Sequence, residues 1–103
     1  MDLVKEIYKI TKELPKFETY GLSSQMQRAA VAIPSNIAEG QKRNHKLEYI
    51  QFLSIANGSA AELETQVNLI KNLYPDINAQ RIEFLLEEVL KMLHAMINKL
   101  KTN

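Results

Sequence analysis

Lysine recurs at positions 5, 9, 12 and 16, in steps of four, three and four, and Lys42, Arg43, His45 and Lys46 crowd one short stretch around Asn44. An α-helix turns once every 3.6 residues, so Lys5, Lys9 and Lys12 would stack along one side of a first helix, with Lys16 just past Pro15. Cations grouped in this way are candidate phosphate contacts, because each neutralised phosphate releases bound counterions. Glu6, Glu13, Glu39 and Glu48 dilute both groups, which also fits an ordinary solvated charged surface. The pattern offers no interleaved aromatic for base stacking.

A second set of polar residues sits where apolar ones are usual. Gln25, Arg28, Ala32, Asn36, Glu39 and Arg43 are spaced to share one face of a helix, and Ser59, Glu62 and Gln66 repeat at similar intervals further on. Gly58, Ser59, Ala60 and Ala61 are small enough to let another helix backbone approach. Charged residues are mostly exposed, so the simpler reading is two solvated faces. The sharper reading has the stripes face a neighbouring helix, with Arg28 paired to Glu62 or Glu64, a network that sets register more than it adds stability.

Catalytic chemistry finds little to work with. There is no cysteine, which excludes disulfides, thiolate metal sites and cysteine nucleophiles. Carboxylate di-metal bundles need inward Glu-x-x-His pairs on two helices. Here Lys42 and Lys91 stand three residues before His45 and His94. Ser59 beside Gly58 lacks the Gly-x-Ser-x-Gly elbow, and Gly40-Gln41-Lys42 is a partial echo of a phosphate loop. The expectation is no catalytic residue, no metal, no cofactor and no enzymatic activity.

With 103 residues, 46% apolar and 24% charged, the chain has the composition of one folded domain spanning 1–103. The net charge is +1 and the pI about 8.0, so any nucleic-acid contact must come from local clustering. Met1-Asp2-Leu3-Val4-Lys5 does not read as a signal peptide, and no run nears the roughly 18 apolar residues that span a bilayer. A cytoplasmic protein that does not enter membranes is expected.

The elements that must position these residues are helices. Leu3, Ile7, Ile10 and Leu14 line one face of a first helix, about Asp2 to Leu14, closed by Pro15. Ser23 or Ser24 can cap a second, with Ser24 and Gln27 at capping-box spacing. Its apolar line runs from Leu22 through Met26, Ala29 or Ala30, Ile33 and Ile37, bent and not broken at Pro34. Gly40 either ends it or lies within it. Tyr49, Leu53, Ala56, Ala60, Leu63, Val67, Ile70 and Tyr74 form a heptad seam on a third helix capped by Asn44 or His45. Phe52, Ile55, Leu69 and Leu73 widen its apolar face. Asp76 or Asn78 begins a fourth, where Ile82, Leu86, Val89, Leu93, Met96 and Leu100 keep the same steps. Short connectors favour antiparallel neighbours, so the fold class is all-α, an up-and-down four-helix bundle.

Tyr20-Gly21-Leu22-Ser23-Ser24-Gln25, Arg28-Ala29-Ala30, Ile33 through Gly40, Glu48-Tyr49, Phe52-Leu53, Ile55-Ala56, Gly58-Ser59 and Glu62-Leu63-Glu64 follow in a characteristic order. Together they resemble the bacterial four-helix-bundle proteins encoded in intervening sequences of large-subunit ribosomal RNA genes. The accessory proteins of diversity-generating retroelements are similar to that family. The resemblance implies a ring-like homo-oligomer, a pentamer, with RNA or DNA binding or a protein partner as its function. It also implies structural roles for Asn36, Glu39, Gly58, Glu62 and Glu64. Asn57 and Ala60 depart from the pattern, which has larger residues flanking Gly58-Ser59. The leading reading is a non-enzymatic oligomeric module contacting nucleic acid through Lys5, Lys9, Lys12, Lys16, Lys42, Arg43 and Lys46. The alternative is a protein-interaction scaffold that binds no nucleic acid.

Overall fold

The computed structural model describes residues 1–102. Four helices follow one another: α1 (Asp2–Thr11), α2 (Leu22–Gln41), α3 (Lys46–Leu73) and α4 (Gln80–Thr102), with a 3-10 turn at Lys16–Glu18 between the first two. Helix α1 packs against α2 and α4, and α3 packs against the same pair. Neither diagonal pair brings Cα atoms within 8 Å among the described residues. Four helices in a closed square, each joined to its neighbour, make an antiparallel up-and-down bundle.

The apolar seams meet at its centre. Leu3, Ile7, Ile10 and Leu14 come from the first segment, and Met26, Ala29, Ala30 and Ile33 from α2. Leu53, Ala56, Ala60, Leu63, Val67 and Ile70 come from α3, and Ile82, Leu86, Val89 and Leu93 from α4. Each large aliphatic side chain so buried contributes roughly 1.5–3 kcal/mol relative to an exposed one. At 1.5 Å per residue the 28 residues of α3 run about 42 Å, nearly the full 46 Å length of the molecule. Helix α1 has 10 residues and accompanies the other three over part of their length.

Helix ends differ from the sequence expectation in two places. Helix α1 stops at Thr11, and Lys12, Glu13 and Leu14 close it with bonds three residues back, because Pro15 pushes Leu14 out of helical geometry. Leu14 stays buried nonetheless. Neither Ser23 nor Ser24 caps α2; Gly21 precedes the first turn and its carbonyl accepts from Gln25 N–H at 3.0 Å. Gln27 is spent elsewhere, its Nε2 donating to Thr11 Oγ1 at 3.0 Å and tying α2 to the end of α1. Helix α4 does gain an expected cap, Asn78 Oδ1 accepting from Gln80 N–H at 3.0 Å.

Pro34 lies inside a continuous α2, and Gly40 lies in its last turn. A Cβ on Gly40 would stand 2.8 Å from the Tyr49 ring and 2.9 Å from Phe52 Cβ. Glycine is therefore what lets the end of α2 rest directly on the start of α3. Ala29 and Ala30 of α2 and Ala56 and Ala60 of α3 are all buried in the core.

Candidate nucleic-acid interface

Lys16 and the second basic group lie beyond opposite ends of α2, whose 20 residues rise about 30 Å, while Lys5 and Lys9 run back beside α2 along α1. The first runs along the outer side of α1, away from Leu3, Ile7 and Ile10, and continues onto the connector. Lys9 Nζ lies 3.2 Å from Glu6 Oε2, and Arg81 approaches the other Glu6 oxygen at 3.4 Å, tying α4 to α1. Lys5, Lys12 and Lys16 are exposed and form no ion pair within 4.0 Å among the described residues.

The second group occupies the turn from α2 to α3, where Lys42, Arg43, Asn44, His45 and Lys46 are all exposed. Arg43 Nη2 is 3.1 Å from Glu39 Oε2, and its guanidinium lies 4.8 Å from the centre of the Phe52 ring. His45 is the N-cap of α3 and makes no side-chain capping bond. The first N–H groups of a long helix, its partially positive end, therefore open among four basic side chains.

The polar stripes face a groove between α2 and α3 without forming the expected pair. Gln25, Arg28, Ala32, Ser59 and Glu62 line a shallow cavity of about 200 Å³. Arg28 Nη2 donates to Ser24 Oγ at 3.4 Å, and Glu62 Oε1 accepts from Gln66 Nε2 at 3.2 Å. Arg28 reaches neither Glu62 nor Glu64; both partners satisfy themselves within their own helix. Glu64 lies on the other flank of α3, in the groove against α4 beside Asn68, Glu83 and Glu87. Asn36 Nδ2 donates back to the Ala32 carbonyl at 2.8 Å, a bond within α2.

Gly58 is exposed, with nothing within 4 Å of where its Cβ would stand. At 100° per residue it falls on the outer side of α3 with Leu47, Ile55, Leu69 and Leu73. Those four are 76%, 53%, 44% and 59% exposed. The outer side of α3 thus carries four exposed aliphatic residues set among Gln51, Ser54, Glu62, Thr65 and Asn72.

Sequence spacing also missed two aromatics. Phe17 and Tyr20 are 75% and 96% exposed on the α1–α2 connector, next to Lys16. They correct the expectation that no aromatic accompanies the lysines. The available signal was their place between Pro15 and Gly21, outside any apolar periodicity.

Among the described residues, no three His, Cys, Asp or Glu side chains come together as a metal-holding group. No helix among them is long and apolar enough to cross a membrane. The bundle, its seams and the ordered motifs of α2 and α3 define a class of small helical proteins. The chain belongs to the 23S rRNA-intervening sequence protein family, whose model matches residues 1–95. No curated protein matches it.

Proposed function

We propose that this protein is a non-enzymatic homo-oligomeric module that binds RNA or DNA through basic surfaces repeated on each copy. The observation that carries the reading is the turn Lys42–Lys46, four basic side chains exposed around the N-terminus of α3 with no side-chain cap. Cations and helix N–H groups both favour phosphate, and neither reads base sequence. A weak site on one copy gains from repetition, since linked sites bind with an effective concentration far above that in solution.

Self-association rests on the outer side of α3. A glycine in mid-helix costs up to about 1 kcal/mol against alanine, and no contact within this chain uses the missing Cβ. Ile55 lies one turn from it, and Leu47, Leu69 and Leu73 extend the same side of α3, where the glycine lets a second helix backbone approach closely. A ring such as a pentamer would present one basic turn per subunit.

The test combines light scattering with titration of RNA, DNA and their duplexes at low salt. Assembly with salt-dependent binding supports the proposal, and absence of binding at low salt overturns it. The same outer side of α3 also supports a protein-interaction scaffold. Recovery of protein partners alone after nuclease treatment, with no binding in the titration, would establish that alternative.

A further inference from the structure

We infer that the α1–α2 connector is a stacking platform for unpaired nucleic-acid bases, with Phe17 and Tyr20 as the platform and Lys5, Lys12 and Lys16 along the strand backbone. This rests on the nucleic-acid reading above and adds to it the kind of strand recognised.

The two rings are the most exposed aromatics of the chain, yet the backbone beneath them is fixed. Glu18 N–H donates to Pro15 O at 2.9 Å, Thr19 N–H to Lys16 O at 3.0 Å and Gly21 N–H to Glu18 O at 3.0 Å. Phe17 and Tyr20 stand three residues apart on this one connector, and both rings face solvent. Tyr74 Oη donates to Glu18 Oε2 at 2.6 Å and fastens the connector to the end of α3. The rings are held outward on an anchored turn.

Charge selects the occupant. Lys16 directly precedes Phe17, and Lys12 and Lys5 continue back along the connector and α1, about 10 Å apart by helical rise. The connector's two acids, Glu13 and Glu18, both keep their charge, Glu18 while holding the Tyr74 hydroxyl, so three lysines without an ion pair among the described residues stand against two carboxylates. A second copy docking here by a two-fold contact would set lysines against lysines. An unpaired strand instead offers flat bases to the rings and phosphates to the ammonium groups, whereas a duplex keeps its base faces stacked inside.

The experiment measures binding of the full chain to a short single-stranded RNA, the DNA of the same sequence and the matching duplex, in wild type and in Phe17→Ala/Tyr20→Ala. Both rings are solvent-exposed, so an unchanged circular dichroism melt confirms the fold. Stacking is worth roughly 1–3 kcal/mol per base, so the double variant should bind single strands at least about fivefold more weakly while duplex binding holds. A loss shared by RNA and DNA strands supports base stacking alone, and a loss confined to RNA supports a platform that also reads the sugar. Tyr20→Trp, in a chain otherwise free of tryptophan, should retain binding and show emission quenched by single strands. Unchanged single-strand binding, an equal loss on duplex, an unquenched tryptophan or a changed assembly mass in the alanine variant each overturns the stacking platform while the broader reading survives. Failure of wild type to bind any of the three probes overturns both.

Discussion

The Tyr74 hydroxyl donates a 2.6 Å hydrogen bond to Glu18 Oε2, joining the end of α3 to the connector between α1 and α2. That bond holds the phenol above its ordinary value of 10.0, with burial and the Glu18 charge pushing the same way. The folded state then holds the proton more tightly than the unfolded chain. Its contribution to stability is complete below 10.0 and is lost as pH climbs through the raised value. Tyr74→Phe should lower the melting temperature at neutral pH, and the gap between variant and wild type should close in alkaline buffer. A gap that stays constant across that range would show that the bond is not formed in solution.

The two glycines of α2 and α3 should respond in opposite directions. Gly40→Ala forces a Cβ against Tyr49 and Phe52 and should cost about 1–3 kcal/mol, read as a lower denaturant midpoint. Gly58→Ala meets nothing within the chain and should add up to about 1 kcal/mol to the dissociated subunit. If the outer side of α3 is the assembly contact, the same change weakens association in light scattering.

Gln66 is 4% exposed, and its Oε1 has no partner while Nε2 donates to Glu62. A buried acceptor left unpaired costs roughly 1–3 kcal/mol, so Gln66→Leu should hold or raise the melting temperature. A clear loss of stability would mean that the oxygen is satisfied by a water or a neighbouring copy.

Replacing Lys42 and Arg43 together by Gln removes two candidate phosphate contacts. The slope of log affinity against log salt should shrink by about 0.7 per contact on a single strand and about 0.9 on a duplex. Arg43 also lies over Phe52 and pairs with Glu39, so the melt is recorded alongside. An unchanged slope would place the phosphates elsewhere.

Arg28 is exposed and, among the described residues, its side chain hydrogen-bonds Ser24, both on α2. Arg28→Met should therefore leave the melting of the subunit within about 0.5 kcal/mol. A larger shift that appears only in the assembled protein would give the groove between α2 and α3 a role in subunit contact.

Periodicity alone carried most of the architecture. Leu53, Ala56, Ala60, Leu63, Val67 and Ile70 are buried where seven-residue steps place them, because a helix repeats its geometry with every residue. The ordered motifs around Pro34 and Gly58 likewise sufficed to place the chain in its family. Helix ends were harder to read, since Ser24 and Gln27 have capping spacing and yet are drawn to Arg28 and Thr11.

What only the tertiary structure decided depends on how one helix is rotated and slid against another. Shared faces suggested that Arg28 meets Glu62 or Glu64, but register leaves Arg28 on Ser24 and carries Glu64 to the far flank of α3. The same packing made Gly40 indispensable to a close approach, left Gly58 facing outward, and turned Phe17 and Tyr20 from connector residues into an exposed pair. Local sequence fixes which side of each helix is apolar. The distances between helices arise from all four packing together, and no single segment encodes them.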